Sequence, residues 1–471
     1  MSKNTAKNQR STYNTIWRWH FYAGLFCIPF VLLLSVTGAI YLFKPQVEAV
    51  LDKPYNHLVI SGATASAESQ VLAAIAAVPG TKLNAYELPA SPNAAVRVLV
   101  GSKQDLTRVY VHPQTLQILK VEHEDDKFMR IIHRLHGNLL IGDKGSYLVE
   151  LAASWAIVML ITGLYLWWPS NSKSLAGIVY PRFSSTRSSS NSSDNKSRLF
   201  WRDLHAVTGF WISFFTLFLL LSGLPWAKSW GGLLKEVRHI SSGKLVQQDW
   251  TTGRSSELAE RQNMNMTVGE ESEHADHQHM VDKNGIHKMI FPKIDYSPLD
   301  RIAAKVQPLH LAAPVWISPP SKKSPEWTAS SKAQNRPLRA DLVLDAETGA
   351  VKSRKNFADR PLLDRVIGIG VAVHEGQLFG WLNQLLGLLT ALGLVLVSLS
   401  AVILWWRRRQ PGLLGAPPAS AKVAYTPVLI ASIVVLSVLL PFLGISLIIT
   451  MLIERLVLRN IPAISDFLGL N

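Results

Sequence analysis

Five stretches of the sequence are apolar for long enough to cross a lipid bilayer as single helices. They lie near residues 21–43, 148–168, 206–226, 381–406 and 425–450. A helix needs about 20 apolar residues to cross the hydrocarbon core of a bilayer. The pattern therefore predicts a polytopic α-helical membrane protein with about five spanning helices.

The polar segments between these stretches fall into two length classes. Four are short, at residues 1–20, 169–205, 407–424 and 451–471, and two are long, at 44–147 and 227–380. In each long segment a helical pattern, at 67–78 and at 299–306, precedes strand patterns with turn residues. We therefore predict a small α+β domain in each long segment. The second also contains a polar insertion at about 240–290, which we expect to have little core of its own.

Lysine and arginine are concentrated in three of the short segments. Residues 1–20, 169–205 and 407–424 carry an excess of basic residues, which marks the cytoplasmic side of a membrane. The two long segments are then predicted outside and, with five spans, so is the C-terminal tail. The first apolar stretch is too long for a signal peptide, and it is predicted to be an uncleaved anchor.

Composition agrees with a membrane protein. The formal charge is +15 with histidine neutral, and 48% of the residues are apolar. Because the apolar residues come in long runs, we expect membrane lipid and no nucleic acid among the partners. The one cysteine, Cys27, can form no internal disulfide and is predicted to pack as a small hydrophobic residue.

Distant parts of the chain contain matching residues that are separated by a constant difference in residue number. There are two such differences, a longer shift and a shorter shift. The longer shift matches His136 with His374, Gly142 with Gly380, and Trp167–Trp168 with Trp405–Trp406. The shorter shift matches His20 with His205, Gly24 with Gly209, and Gly38 with Gly223. The chain is therefore predicted to contain two parallel helix–domain–helix repeats, related by an axis along the membrane normal, plus one extra helix.

Four of the matched residues are histidines, and the repeat places them at two depths. His20 and His205 lie at the cytoplasmic ends of their stretches, and His136 and His374 lie just outside theirs. Matched residues of parallel repeats have equal depth, so each pair could supply both axial ligands of a haem iron. Histidine is also common at membrane interfaces, where its ring is half hydrated, and both interpretations are open at this point.

The remaining candidates have weaker patterns. His274, His277 and His279 lie near three methionines in the insertion, and these ligand types suit a surface site for copper, zinc or nickel. A solvated polar segment is favoured there because the spacing is loose. His133 is equivalent to Val371 in the repeat, and a surface or hydrogen-bonding role is favoured over ligation.

The short segments carry no glycine-rich dinucleotide fingerprint, phosphate loop or HExxH motif. The sequence therefore predicts no nicotinamide or flavin domain, and a quinol or a separate cytoplasmic reductase would supply any electrons. The matched glycines allow close approach of a planar ring or of another helix. The two tryptophan pairs are predicted to belong to an interfacial aromatic belt.

The sequence AESQVLAAIAAVPG, followed by RVYVHPQTLQILK and flanked by spans that begin WRWHFYAG and HRLHGNLLIG, resembles the PepSY-associated transmembrane proteins. The resemblance covers roughly residues 14–410. This family includes iron-regulated inner-membrane proteins and ferrisiderophore reductases that bind two b-type haems. The resemblance implies a multi-pass protein of a bacterial inner membrane, with a cytoplasmic N-terminus and two periplasmic PepSY-like domains.

The resemblance also implies an activity. The chain would be an oxidoreductase that reduces an Fe(III)–siderophore, or another ferric complex, in the periplasm to release Fe(II). His20, His136, His205 and His374 match the family pattern and would bind two haem b groups. Two alternatives are open: a non-enzymatic scaffold or regulator, because PepSY-type domains also occur as protease inhibitors and in signalling proteins, and a metal-transport accessory that uses the insertion.

Overall fold

The computed structural model describes residues 3–102, 105–168, 175–182, 193–242, 295–321, 325–417 and 427–470. They form two compact units. The helical unit comprises Met1–Phe43, Ile132–Val246 and Val373–Asn471, and the sheet unit comprises Lys44–Ile131 and Gln247–Ala372. The predicted insertion at about 240–290 lies outside the described residues beyond residue 242, and so do His274, His277 and His279.

Helices and strands occur in alternating groups along the chain. The helices are α1 (Lys3–Leu42), α2 (Lys44–Leu51), α3 (Lys53–Asn56), α4 (Ala67–Ala77), α5 (Phe128–Asn138), α6 (Gly142–Trp167), α7 (Ser193–Gly223), α8 (Lys228–Ser242), α9 (Pro298–Val306), α10 (Leu362–His374), α11 (Trp381–Arg408), α12 (Pro427–Leu439), α13 (Pro441–Leu456) and α14 (Pro462–Leu468). The strands are β1 (Leu83–Glu87), β2 (Val96–Ser102), β3 (Asp105–Val111), β4 (Ile118–His123), β5 (Val315–Ser318), β6 (Trp327–Ser331), β7 (Ala340–Leu344) and β8 (Val351–Asn356).

Five helical segments in the described part of the chain are long and apolar enough to cross a membrane. They are Ser11–Leu42, Gly142–Trp167, Ser197–Trp226, Trp381–Arg408 and Pro441–Asn460. This confirms the predicted polytopic α-helical membrane protein. The first four overlap the predicted stretches, whereas the fifth begins well after the start of the predicted 425–450.

The first four spanning helices form a bundle in which α1 and α7 each pack against both α6 and α11. Two glycines of α11 allow this close packing. A Cβ atom at Gly387 would lie 2.9 Å from Cδ1 of Leu42, and one at Gly393 would lie 2.7 Å from Cγ2 of Ile212. Both distances are too short for a real Cβ contact, so α1 and α7 approach α11 at positions where only glycine fits without a shift.

The C-terminal apolar region is a bent pair of helices and not the single span predicted for 425–450. The helix breaks at Leu440, because Pro441 has no backbone N–H and Leu440 has φ −126° and ψ 81°, outside the helical region. A Cβ atom at Gly444 would lie 3.1 Å from Cβ of Ser437, on the preceding helix, so the chain reverses sharply here.

Helix α13 then runs alongside α6 in the same direction. The Phe442 ring stacks on Tyr147 with centroids 5.4 Å apart, and further along Trp155 donates a hydrogen bond of 3.1 Å from Nε1 to Oγ of Ser446. The chain then reaches the end of the bundle where α1 begins. There Arg18 donates to the carbonyl oxygen of Gly469 at 2.9 Å. The C-terminal tail was predicted on the side of the membrane opposite the start of α1. This prediction is wrong, because the break at Pro441 adds one reversal of chain direction.

The eight strands form one antiparallel sheet in the order β4-β3-β2-β1-β5-β6-β7-β8. The two long polar segments were predicted to form two separate domains, and instead each contributes four strands to this sheet. The halves join where Tyr86 pairs with Ile317 and Glu87 pairs with Trp316. Separate domains would leave β1 and β5 as unpaired edges, whereas this pairing satisfies the backbone groups of both strands.

The core of the sheet unit lies between one face of the sheet and the helices α4 and α9. Val71 of α4, Leu299 and Ile302 of α9, and Trp327 of β6 are buried in it. The helices occur where the apolar periodicity predicts them, since 67–78 is observed as Ala67–Ala77 and 299–306 as Pro298–Val306. The α+β character of this region is thus as predicted.

The reversal at Pro441 makes a prediction about membrane topology. In a Cys27→Ser background, single cysteines at exposed Ala463 and Gln410 should react with a membrane-impermeant thiol reagent from the same side of sealed vesicles. Exposed Lys144 lies near the start of α6, at the opposite end of the bundle. A cysteine there should react only from the opposite side of the vesicle membrane. Labelling of Ala463→Cys from the same side as Lys144→Cys would contradict the observed direction of α13.

Candidate functional site

Two pairs of histidine rings lie inside the helical unit. The ring centroids of His20 and His205 are 6.4 Å apart, with an angle of 84° between the ring planes. The centroids of His136 and His374 are also 6.4 Å apart, again at 84°. The structure thus brings together the same residues that the internal repeat matches, in two pairs of equal geometry.

The two pairs occupy different positions along the bundle. His20 lies within α1 and His205 within α7, whereas His136 and His374 lie in the short helices α5 and α10 that precede α6 and α11. Along α1, the stretch from His20 to Thr37, which contacts His136, spans about 25 Å at the helical rise. A hydrocarbon core is about 30 Å thick. The separation therefore places each pair near one end of a membrane-spanning bundle.

Each of the four rings has a hydrogen-bond partner at Nδ1. His20 contacts Oγ1 of Thr162 at 3.0 Å, and His136 contacts Oγ1 of Thr37 at 3.0 Å. In the second repeat, Nδ1 of His374 lies 2.8 Å from Oγ of Ser222, and that of His205 lies 3.0 Å from the carbonyl oxygen of Val397 and 3.3 Å from Oγ of Ser400. Every ring is thus fixed by a residue on a neighbouring helix.

The hydroxyl groups determine which ring nitrogen carries the proton. Thr37 donates its own hydrogen to the carbonyl oxygen of Leu33 at 2.8 Å, as Thr162 does to Val158 at 2.8 Å. A hydroxyl that has donated its single hydrogen can only accept from the histidine. Nδ1 of His136 and of His20 is therefore the protonated nitrogen, and Nε2 retains the lone pair that a metal requires.

The same assignment holds in the second repeat. Ser222 donates to the carbonyl oxygen of Phe218 at 2.7 Å, and Ser400 donates to that of Val397 at 2.9 Å. Val397 also accepts directly from His205, since a carbonyl oxygen can only accept. All four histidines thus present Nε2 as the unprotonated nitrogen.

The separation of the rings fits a shared metal ion. A bond from imidazole nitrogen to a metal is about 2.0–2.1 Å long, and adding about 1.1 Å from nitrogen to ring centroid on each side gives roughly 6.3 Å between centroids. The observed value is 6.4 Å in both pairs. The near-perpendicular planes also keep the rings from stacking on each other. The separation of each pair is therefore the one that two imidazoles would need to hold one metal ion between them, such as the iron of a haem group.

The ionisation of the second pair suits this role. Burial lowers the pKa of His136 to about 4, and repulsion from His374 contributes to the decrease. Burial likewise lowers the pKa of His374 to about 4. Both rings are thus neutral at pH 7, which is the form that binds a metal.

Two of the four matched glycines lie against a paired histidine ring. A Cβ atom at Gly38 would lie 3.2 Å from Cε1 of His136, and one at Gly223 would lie 3.8 Å from Cε1 of His374. At Gly209 an added Cβ would meet nothing within 4 Å, so there is open space beside α7 close to His205. Gly24 instead faces Met159, at 3.5 Å.

The other candidates do not join a histidine pair. His133 lies one turn before His136, and its ring contacts Tyr41 and Trp226. The described residues contain no group of three or more His, Cys, Asp or Glu side chains that could hold a metal ion. The possible metal site at His274, His277 and His279 lies outside the described part of the chain.

The hydroxyl partners are the part of the site that sequence reasoning missed. Thr37 and Ser222 are related by the shorter shift, which also matches His20 with His205. Thr162 and Ser400 are related by the longer shift, as His136 and His374 are. The repeat therefore retains the partners together with the histidines. The same alignment of the two halves could have identified them as matched hydroxyl positions within apolar helices.

A comparison with known protein families gives a match over most of the chain. A family model described as the PepSY-associated TM region matches residues 17–408. The match includes both histidine pairs and their four hydroxyl partners. A search of curated proteins gives no match.

The hydroxyl of Thr37 should control the tautomer of His136. In metal-free protein at pH 7, Thr37→Val should decrease the fraction of His136 protonated at Nδ1, because the ring loses its hydroxyl acceptor. Thr37→Ser should retain it. ¹⁵N NMR of histidine-labelled protein measures this fraction. The affinity of the pair for a metal should fall by about 10- to 100-fold in the valine variant only. An unchanged tautomer in Thr37→Val would contradict the assignment.

Proposed function

The chain belongs to the family of PepSY-associated transmembrane proteins, and from this we propose that it carries electrons across a bacterial inner membrane. It holds two haem b groups and reduces an Fe(III)–siderophore, or another ferric complex, on the periplasmic side. The observation that carries the proposal is the geometry of the histidines: two pairs with centroids 6.4 Å apart, near opposite ends of one bundle.

The residues that would hold the two groups follow from that geometry. His20 and His205 would supply the axial ligands of one haem, and His136 and His374 those of the other. A haem iron held in this way accepts and releases one electron, at a potential set by its ligands and their hydrogen bonds. Thr162, Thr37, Ser222 and Ser400 would keep the four rings in the tautomer that binds iron.

The position of the basic residues supports electron transfer from the end of His20 towards the end of His136. Arg407 and Arg408 lie in the last turn of α11, Arg409 follows it, and Arg18 precedes His20 in α1. The reversal at Pro441 returns the chain to this same end, where Arg18 contacts Gly469. Clusters of basic residues favour the cytoplasmic side. The site of His20 and His205 would then lie on the side of the electron donor, a quinol or a cytoplasmic reductase, and the site of His136 and His374 would face the periplasm.

The chemistry of the substrate agrees with such a site. Siderophores bind Fe(III) through hard oxygen atoms far more tightly than Fe(II), so one electron weakens the complex and releases the metal. The reaction needs no nucleophile and no general base. What the protein must supply is a fixed position for each histidine, a bundle that excludes water, and a surface for the ferric complex.

The haem content of matched variants tests the proposal. Purified wild-type protein, expressed with sufficient haem, should contain two b-type haems per chain by its reduced-minus-oxidised and pyridine haemochrome spectra. His136→Ala combined with His374→Ala should leave one, and His20→Ala combined with His205→Ala should leave the other, because each pair loses both ligands. Only variants with both haems should reduce a ferric chelate across the membrane of sealed vesicles.

A matched double variant serves as the control. His57 and His310 are exposed histidines of the sheet unit, and replacing both with alanine should leave two haems in place. Colourless wild-type protein would end the proposal. Two haems remaining in either double variant of a pair would show that other residues are the ligands.

A further inference from the structure

One arginine at the end of the bundle where His20 lies has a buried donor without an acceptor. Arg408 lies in the last turn of α11 and is half-buried. Its Nη2 donates to the carbonyl oxygen of Gly415. Its Nε is buried and has no hydrogen-bond partner among the residues that the structure describes. A buried N–H group of a cation is costly when nothing accepts from it, so this position calls for an acceptor.

Two aromatic rings of α1 hold this guanidinium near His20. Its central carbon lies 5.2 Å from the ring centroid of Trp17 and 4.9 Å from that of Phe21. Trp17 precedes His20 by three positions and Phe21 follows it directly, so both are within one helical turn of it. The cation–π contacts stabilise the charge, but they place no oxygen atom at Nε. The unsatisfied donor is therefore close in depth to the pair of His20 and His205.

The neighbours of Arg408 carry positive charge. Arg198 of α7 repels it, and Arg407 and Arg409 flank it in the sequence. Arg407 is exposed, so its charge is hydrated, and it donates to Oγ of Ser197. An arginine at the end of a spanning helix usually extends its charged group into water in this way. Arg408 departs from that behaviour, because its Nε is buried.

Carboxylates of the chain itself do not meet the charge of Arg408. Within the described residues it forms no ion pair with aspartate or glutamate. The three polar segments rich in basic residues together contain two acidic residues, Asp194 and Asp203. Asp203 accepts from Arg182 and Arg202. A ligand that brings its own carboxylate would therefore complete the surroundings of the guanidinium.

We propose that Arg408 binds a propionate carboxylate of the haem that His20 and His205 hold. The inference rests on the proposed function, because it needs a haem at this pair. Haem b carries two propionate groups at one edge of its ring, and carboxylates form strong, charge-assisted hydrogen bonds with a guanidinium. Nε of Arg408 would donate to one carboxylate oxygen. Two axial bonds hold the iron but allow the ring to turn about the axis between the two nitrogens, so a contact at its rim would fix its orientation.

A lipid phosphate is another oxyanion that could accept from a guanidinium. Lipid head groups contact the exposed basic residues of a spanning protein, and Arg407 and Arg409 are exposed here. Nε of Arg408 is instead buried, and the guanidinium lies against rings within one turn of His20. The propionate is therefore favoured over the phosphate as its acceptor.

The dimethyl ester of haem b isolates the contribution of the carboxylates, because esterification removes their charge and leaves the iron and the ring unchanged. The full-length chain with His136→Ala and His374→Ala keeps only the pair of His20 and His205. After its haem is removed by transfer to excess apomyoglobin, this parent variant is titrated in detergent with haem b or with the ester. The Soret absorbance gives each dissociation constant. Haem b should bind about 10-fold more tightly, as expected for one charge-assisted hydrogen bond.

Substitutions in the parent variant test Arg408. Arg408→Gln should reduce the preference for haem b to less than about 2-fold, because the amide carries no charge. Arg408→Lys keeps the charge without the planar donor group, so an intermediate preference of about 3-fold is expected. The lysine variant also carries the test if the glutamine variant fails to fold. The matched control is Arg407→Gln, which removes the same charge from an exposed neighbour and should retain the preference of about 10-fold.

The outcomes separate this inference from the proposed function. Equal affinity of the parent variant for haem b and its ester, while the wild type contains two haems, would overturn the inference and leave the proposed function intact. An unchanged preference in the Arg408 variants, or an equal loss in Arg407→Gln, would also overturn it. A preference that appears only after Asp194→Asn would show that this aspartate, and not a propionate, is the partner of Arg408. Wild-type protein that binds no haem would end both.

Discussion

A buried imidazole needs a partner for its N–H group, and this requirement organises the helical unit. A polar group without a hydrogen bond in an apolar environment is costly. Here a serine or threonine on a neighbouring helix accepts from the ring after donating its own hydrogen within its helix, and for His205 the carbonyl oxygen of Val397 also accepts. Each such contact also fixes two helices in register, as His20 and Thr162 do for α1 and α6. One interaction thus specifies packing, ring orientation and the nitrogen left for a metal.

Duplication turns single histidines at two levels into a pair at each level. The repeat supplies a second histidine opposite the first, at a distance that neither half could determine alone. It also supplies a matching hydroxyl, such as Ser222 for Thr37. Because α1 and α7 both pack against α6 and α11, the four rings are held by a single bundle. The spacing of 6.4 Å is therefore a property of the packed repeats and not of any local segment.

The sequence predicts those parts of the fold and site that depend on local apolar periodicity or on the internal repeat. Apolar length predicts the spans, helical spacing predicts α4 and α9, and the constant shifts predict which histidines form pairs. Interactions between distant segments that neither shift relates are not visible in this way. The pairing of β1 with β5 joins Glu87 to Trp316, which is far away along the chain, and no local pattern indicates it. The residues on both sides of Pro441 are equally apolar, although the helix breaks there. The apolar stretch 425–450 is therefore predicted as a single span.

The parts of the chain that depart from the repeat give the two ends of the bundle different properties. At the end of His20, the unduplicated helix α14 and the residues that follow it contact Arg18 and Tyr22. At the other end, His133 replaces the apolar residue that the second repeat buries as Val371. Parallel repeats are related by an axis along the membrane normal, which exchanges the two halves at one depth and leaves the two ends distinct. The duplicated part of the bundle is therefore already directional, and the unduplicated residues add groups that only one half carries at each end.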